Sequence, residues 1–217
     1  MNFHSLINSR HRGDFNYYLN LNSTLNNDYI EIPFSELDCN VPATGDFYFE
    51  ATFKVPPIQA RSLVTIFGRA GASSLDLWSY SFQLRSNGAL EFQSYGTRRL
   101  VVASFTQTYL GQVLTVKGVY NDGGVELYIN DVRITFGTST RPIQDLTEPF
   151  LVNKFGSLDL AGANVEIHSF NINGVQFDCN EGSGFNVIGS GGEIGTGSTS
   201  NAAGINYWDP NVWKKIV

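Results

Sequence analysis

The stretch Leu114-Thr-Val-Lys-Gly-Val-Tyr-Asn-Asp-Gly-Gly-Val-Glu-Leu-Tyr-Ile-Asn-Asp-Val-Arg-Ile134 writes two strands and two tight turns in one run. Its Asn121-Asp122-Gly123-Gly124 step supplies the positive φ angles that a hairpin turn needs. The residues after it alternate. Val125, Leu127 and Ile129 fall on one face and Glu126, Tyr128 and Asn130 on the other, the period of a strand with one buried and one wet side.

Working outward, the same period recurs from about residue 29 to residue 177. It is clearest in Asp46-Phe-Tyr-Phe-Glu-Ala-Thr-Phe-Lys-Val55, where Phe47, Phe49, Ala51, Phe53 and Val55 oppose Tyr48, Glu50, Thr52 and Lys54. Pro56-Pro57 closes that strand, because neither proline can donate to a ladder. Further strands are expected at residues 63–67, 80–85, 89–95, 100–105, 112–120, 125–129, 132–136, 150–153, 164–173 and 175–178. Asn87-Gly88 and Asn173-Gly174 read as type I′ hairpin turns between antiparallel neighbours. In Val165-Glu-Ile-His-Ser-Phe-Asn-Ile172 the apolar parity switches after Ile167, which predicts a β-bulge near His168-Ser169. No segment carries a helical period over three turns.

Composition agrees with an all-β chain. Charged residues make up 16% of the 217 residues, aromatics 13%, and there are 22 glycines, which suits many short strands and turns. One sandwich of this length with extensions is an ordinary size for a single core. A formal charge of −6 offers no basic field for phosphate backbones, so nucleic acid is excluded as a partner class. No apolar run reaches the length of a membrane-spanning helix, and membrane insertion is not expected. Cys39 and Cys179 stand in similar Asp-Cys-Asn contexts and read as two reduced, half-buried thiols, with a bond between them the alternative.

The two ends differ from the middle. Residues 1–26 are polar and asparagine-rich with scattered aromatics and read as an N-terminal arm, before a sandwich over residues 27–180. Residues 181–217 form a tail whose first part, 181–206, is dominated by Gly, Ser and Thr, the composition of a flexible linker. Tyr207, Trp208 and Trp213 near its end read as an anchor that folds back onto the sandwich or docks into another subunit.

The central hairpin, the opening Asn27-Asp-Tyr-Ile-Glu-Ile-Pro33, the strand Asp46-Phe-Tyr-Phe-Glu-Ala-Thr-Phe-Lys54 and the closing strands 151–173 resemble, in that order, laminin G-like domains of the concanavalin A-like lectin superfamily. The match covers about residues 27–178 and implies an antiparallel two-sheet jelly-roll sandwich. That superfamily holds glycan binders, hydrolases and structural modules, so the fold is better determined than the function. The glycine-rich run after Phe177-Asp-Cys-Asn-Glu-Gly-Ser-Gly184, ending in Trp208 and Trp213, is similar to the ends of lectin-like structural proteins of tailed phages. What that resemblance implies is a virion component, a tail, fibre, decoration or adhesin subunit. It would be made in the host cytoplasm, and its partners would be other virion proteins, further copies of itself and cell-surface glycans. Residues 1–14 have no secretory h-region or cleavage site, in line with that expectation. A stand-alone carbohydrate-binding lectin module is the alternative, and a glycoside hydrolase a more distant one.

Glycosidase chemistry needs two carboxyl groups flanking one bond, and no strand carries Glu or Asp at both i and i+2 or i+4 on a wet face. There is no Gly-x-Ser-x-Gly elbow, phosphate loop or His-Glu-x-x-His. Of the three histidines His4 and His11 lie in the arm, and His168 reads as a hydrogen-bonding surface residue at the bulge. The expectation is therefore a protein that is not an enzyme and needs no cofactor. Calcium is the one ion the resemblance leaves open, with Asp76, Asp122, Asp178, Asn180 and Glu181 holding suitable oxygens but forming no ligand series. For glycan binding the candidate residues are Asp76, Trp78, Tyr80, Tyr95, Arg98 and Arg99, which put rings and polar groups near hairpin ends. The competing reading is that Trp78 and Tyr80 only cap the sandwich and the arginines only solubilise an edge.

Overall fold

The computed structural model describes residues 17–21, 28–33, 47–58, 63–70, 78–94, 98–121, 124–138, 150–153, 164–183, 186–192, 194–199 and 213–216. In chain order its elements are β1 (Tyr17–Leu21), β2 (Asp28–Ile32), β3 (Phe47–Lys54), β4 (Leu63–Ala70), β5 (Trp78–Arg85), β6 (Leu90–Ser94) and β7 (Arg98–Val102). They are followed by α1 (Phe105–Tyr109), β8 (Val113–Asn121), β9 (Gly124–Ile129), β10 (Val132–Thr138), β11 (Phe150–Val152) and β12 (Val165–Ile172). The last are β13 (Val175–Phe177), β14 (Asn186–Ile188), β15 (Ile194–Thr199) and β16 (Trp213–Lys215). Two eight-stranded antiparallel sheets result. Sheet A runs β10-β9-β8-β3-β12-β1-β16 with β13 also on β12, and sheet B runs β14-β15-β2-β11-β4-β5-β6-β7.

Period-2 patterning explains the layers. Phe49, Ala51, Phe53 and Val55 of β3 and its extension, and Val125, Leu127 and Ile129 of β9, are buried as their alternation requires. Sheet B answers with Phe82 and Leu84 of β5 and Leu90 and Phe92 of β6. The sheets meet where Phe49 lies 4.8 Å from Phe82 and 5.4 Å from Phe92, centroid to centroid, in tilted and edge-on geometries that favour aromatic pairs.

The turns follow their sequences with one exception. Asn130 and Asp131 both adopt positive φ, as do Asn173 and Gly174, which is the signature of the two-residue type I′ turn. Asn121 pairs with Gly124 in the hairpin of β8 and β9, although Asp122 and Gly123 lie outside the described residues. At Asn87-Gly88 only the glycine has positive φ, 81°. Gly88 N donates to Arg85 O at 2.8 Å and Arg85 N to Ala89 O at 2.9 Å, so the loop has three residues and ends in a glycine bulge rather than a type I′ turn. The reason lies next door: Thr106 N at the start of α1 donates to Gly88 O, and the Gln107 amide donates to Asn87 O, so the helix fixes the wider loop. That helix itself is absent from the sequence expectation, which extends the preceding strand to Phe105, because five residues are too few to show a period.

The predicted bulge is present. The register of β12 on β3 shifts between Ile167 and Ser169, leaving His168 as the extra residue. His168 is buried rather than at the surface, stacked 5.4 Å from Tyr18 of β1.

Both ends are corrected. The arm contributes β1, which lies between β12 and β16 in sheet A. The supposed linker contains β14 and β15, and β15 pairs with β2 through Thr196↔Glu31 to Thr199↔Asp28. One of its glycines is required by packing. A β-carbon on Gly195 would stand 2.7 Å from Val187 Cγ2 and 3.0 Å from Ile30 Cγ2. Trp213 folds back: it is 7% exposed, belongs to the core, and its strand pairs with β1. Tyr207 and Trp208 lie outside the described residues, as does Cys39, while Cys179 is a free thiol that is fully rather than half buried.

Candidate functional site

Of the sequence-named glycan residues, four lie on β5 and β7. Trp78 opens β5, Arg98 opens β7, and the register Tyr80↔Ser94↔Arg98 places two of them, Tyr80 and Arg98, in one row across β5, β6 and β7 with Arg99 opposite Gln93. Asp76 and Tyr95 lie outside the described residues. Next to that row, on the side of β5 opposite Phe82 and Leu84, Gln83 donates to Ser81 Oγ at 2.9 Å and Arg85 donates to Glu91 at 2.6 Å.

A second constellation emerges from the outward side of sheet A. The registers Glu50↔Lys117, Lys117↔Tyr128 and Tyr128↔Arg133 line up one residue from each of β3, β8, β9 and β10. The neighbouring row is Tyr48, Val119, Glu126 and Phe136. At about 4.8 Å per strand the rows span roughly 14 Å. Within them the Tyr128 hydroxyl donates to Glu126, and Arg133 Nη1 donates to the other oxygen of Glu126 at 2.9 Å. The Arg133 guanidinium lies 5.1 Å from the centroid of the Phe136 ring, itself 67% exposed. Lys117 Nζ lies 4.6 Å from the Tyr48 centroid and 3.7 Å from Glu50.

Electrostatics keep the phenols as donors. The Tyr128 pKa is pushed up to about 12, by burial first and then by its bond to Glu126, and burial and Glu50 push Tyr48 up as well. Burial also raises the Glu50 carboxyl, with Lys117 opposing and Asp131 reinforcing the rise. An exposed ring beside a guanidinium, a carboxylate and a protonated hydroxyl can pack an apolar face while exchanging hydrogen bonds around it.

The outward position of Glu126 and Tyr128 was legible from parity, but the assembly was not. It joins four strands, and only register brings Glu50, Lys117, Tyr128 and Arg133 into a row. Glu50 and Glu126 likewise share the face from different strands, where no pattern along a single strand reveals them, and each is ion-paired.

The calcium candidates within the described residues have other tasks. Asp178 accepts from Gln176, Asn180 accepts from Tyr17 N at 3.1 Å, and Glu181 accepts from Ile188 N at 2.8 Å, bonds that hold β1 and β14 in place. No group of three or more His, Cys, Asp or Glu side chains among the described residues could hold a metal ion, and Asp76 and Asp122 lie outside them. A cavity of about 270 Å³ beside the Lys54 and Glu166 ion pair, floored by Pro56, Pro57 and Leu110, falls below the usual range for ligand sites. No helix among the described residues is long and apolar enough to cross a membrane.

No protein-family model matches the chain, and no curated protein does. Solved structures do. Domains LG4-5 of the mouse laminin alpha1 chain superpose with a TM-score of 0.56 at 14% identity, over 84% of this chain and 46% of that one. A candidate carbohydrate-binding protein from Bacteroides ovatus superposes with a TM-score of 0.61 at 13% identity, over 93% of this chain and 60% of that one. The fold is an antiparallel jelly-roll sandwich, the fold of these structures. The jelly roll thus spans about half to three fifths of the length of these two neighbours, and at such identities the likeness concerns the fold alone.

Proposed function

We propose that this chain is a non-enzymatic carbohydrate-binding module of the lectin type. The observation that carries the reading is the outward face of sheet A, where the exposed Phe136 ring sits among Glu126, Tyr128 and Arg133. A sugar offers a CH face for such a ring and hydroxyls for such neighbours. The fold supports it, since one structural neighbour is described as a candidate carbohydrate binder. The ion pairing of Glu50 and Glu126 supports binding over hydrolysis, because neither carboxylate is disposed as a free acid or nucleophile. A glycan array with the purified chain tests the proposal: reproducible binding is expected, and a folded chain that binds nothing would count against it. Sugar release abolished by one Glu or Asp substitution would overturn its non-enzymatic part.

The second reading is an assembly component, such as the tail, fibre, decoration or adhesin subunit of a virion that attaches to a host surface. One observation favours it: β10 is the terminal strand of sheet A among the described residues, and Val132 and Ile134 on it are exposed. A second copy pairing edge to edge would cover them. Light scattering should then show a stable oligomer that Ile134→Lys dissolves, and a monomer at high concentration argues against the reading. Mass spectrometry of purified particles tests the location.

A further inference from the structure

We infer that the outward face of sheet A selects neutral saccharides and turns acidic ones away, an inference that rests on the carbohydrate-binding reading above. It follows from how the charges of the face are matched. Arg133 is bound to Glu126 at 2.9 Å, and Lys117 lies 3.7 Å from Glu50. A further carboxylate, Asp131, is close enough to raise the Glu50 pKa. Two cations thus face three carboxylates.

A uronate, sialate or sulfate is recognised through a cation free to make charge-assisted bonds, above all the planar fork of an arginine. Here the fork is engaged twice, by Glu126 at its edge and by the Phe136 ring 5.1 Å from its centre. An anionic ligand held by the N–H groups of Arg133 left free would lie against Glu126, on a face that also carries Glu50 and Asp131, and like charges brought together across an interface oppose binding. A neutral sugar meets no such barrier. Its hydroxyls can donate to the remaining lone pairs of Glu126 and Glu50 and accept from the free N–H groups of Arg133, and its CH face can cover Phe136. The Tyr128 hydroxyl, spent as a donor on Glu126, still accepts.

Because no net charge attracts the ligand, binding should change little between low and high salt. Removal of the ring should weaken it about tenfold, near the upper end of what one aromatic contact contributes. Phe136 is largely exposed, so Phe136→Ala leaves the fold intact. Glu126→Gln has the opposite use: it frees the guanidinium of Arg133 and should admit acidic sugars that the parent chain rejects.

The test is an array of neutral hexose and N-acetylhexosamine oligosaccharides beside uronate, sialylated and sulfated ones, with calorimetry on the strongest hit, for the parent chain, Phe136→Ala and Glu126→Gln, each verified as folded by circular dichroism. The expected result is neutral binding by the parent chain, about tenfold loss in Phe136→Ala, and new acidic binding in Glu126→Gln. Preferential binding of acidic saccharides by the parent chain, or neutral binding untouched by Phe136→Ala, overturns this inference and leaves carbohydrate binding standing. Absence of binding to every saccharide overturns both.

Discussion

Gly118 lies directly beneath the Phe92 ring: a β-carbon on the glycine would come within 2.9 Å of the ring's Cζ. The ring cannot simply step aside, because Phe49 and Phe82 flank it at centroid distances of 5.4 and 5.1 Å. A glycine in the middle of β8 weakens the strand by its backbone entropy, and here the contact between the two sheets requires it.

Gly118→Val should therefore destabilise the protein by about 1–3 kcal/mol through overpacking. Urea melts compare the two chains. A variant as stable as the parent would mean that the sheets are not packed ring on glycine at this point.

Phe53 makes the complementary case. It is fully buried near the end of β3, so Phe53→Ala should cost about 3–5 kcal/mol. A loss below about 1 kcal/mol in denaturant melts would contradict the assigned face of the strand.

His168 gives a pH signature. Burial lowers its pKa from 6.5, with Glu166 opposing and Lys54 adding to the shift. Well above pH 6.5 the imidazole is neutral whether the chain is folded or not. As pH falls below that value the unfolded chain takes up a proton that the folded chain resists, so stability decreases until the folded pKa is passed. The raised Glu50 carboxyl acts in the opposite sense, so the comparison is with His168→Phe, which keeps the stacking on Tyr18. The stability of the variant should fall less than that of the parent between roughly pH 6.5 and 5. Parallel curves would show that the histidine titrates as freely as it does in the unfolded chain.

The C-terminal strand yields a test by truncation. Trp213 is part of the core and β16 covers one edge of β1, so deleting residues 206–217 removes a buried tryptophan and a strand partner together. The truncated chain should melt markedly lower, by an amount consistent with the roughly 3–5 kcal/mol of a lost buried aromatic. An unchanged melting temperature with lost self-association would instead place the tryptophan in a neighbouring subunit.

What was legible in the sequence is what period and parity carry. The buried and wet faces of β3 and β9 follow from alternation alone, and the bulge at His168 follows from a single break in it. Strand β15, Ile194-Gly-Thr-Gly-Ser-Thr199, could not be read that way. Its place depends on backbone pairing with β2 and on Gly195 fitting against Val187 and Ile30, and neither leaves a hydrophobic period. The Asn87-Gly88 turn shows the same limit, because its dipeptide suits a two-residue loop and a contact with α1 from a later part of the chain selects a longer one. The outward face of sheet A was half legible: each strand names its exposed residues, but the pairing of Arg133 with Glu126 and of Lys117 with Glu50 depends on registers between strands.

The most direct test of the proposed binding face is a chemical-shift map of the isotopically labelled chain titrated with the neutral oligosaccharide that binds best. Carbohydrate recognition on sheet A predicts that the amides of residues 48–50, 115–119 and 126–136 shift together and saturate at one common affinity. Shifts confined to residues 78–85 and 98–102 would move the site to sheet B, and a spectrum that does not change would contradict the binding function itself.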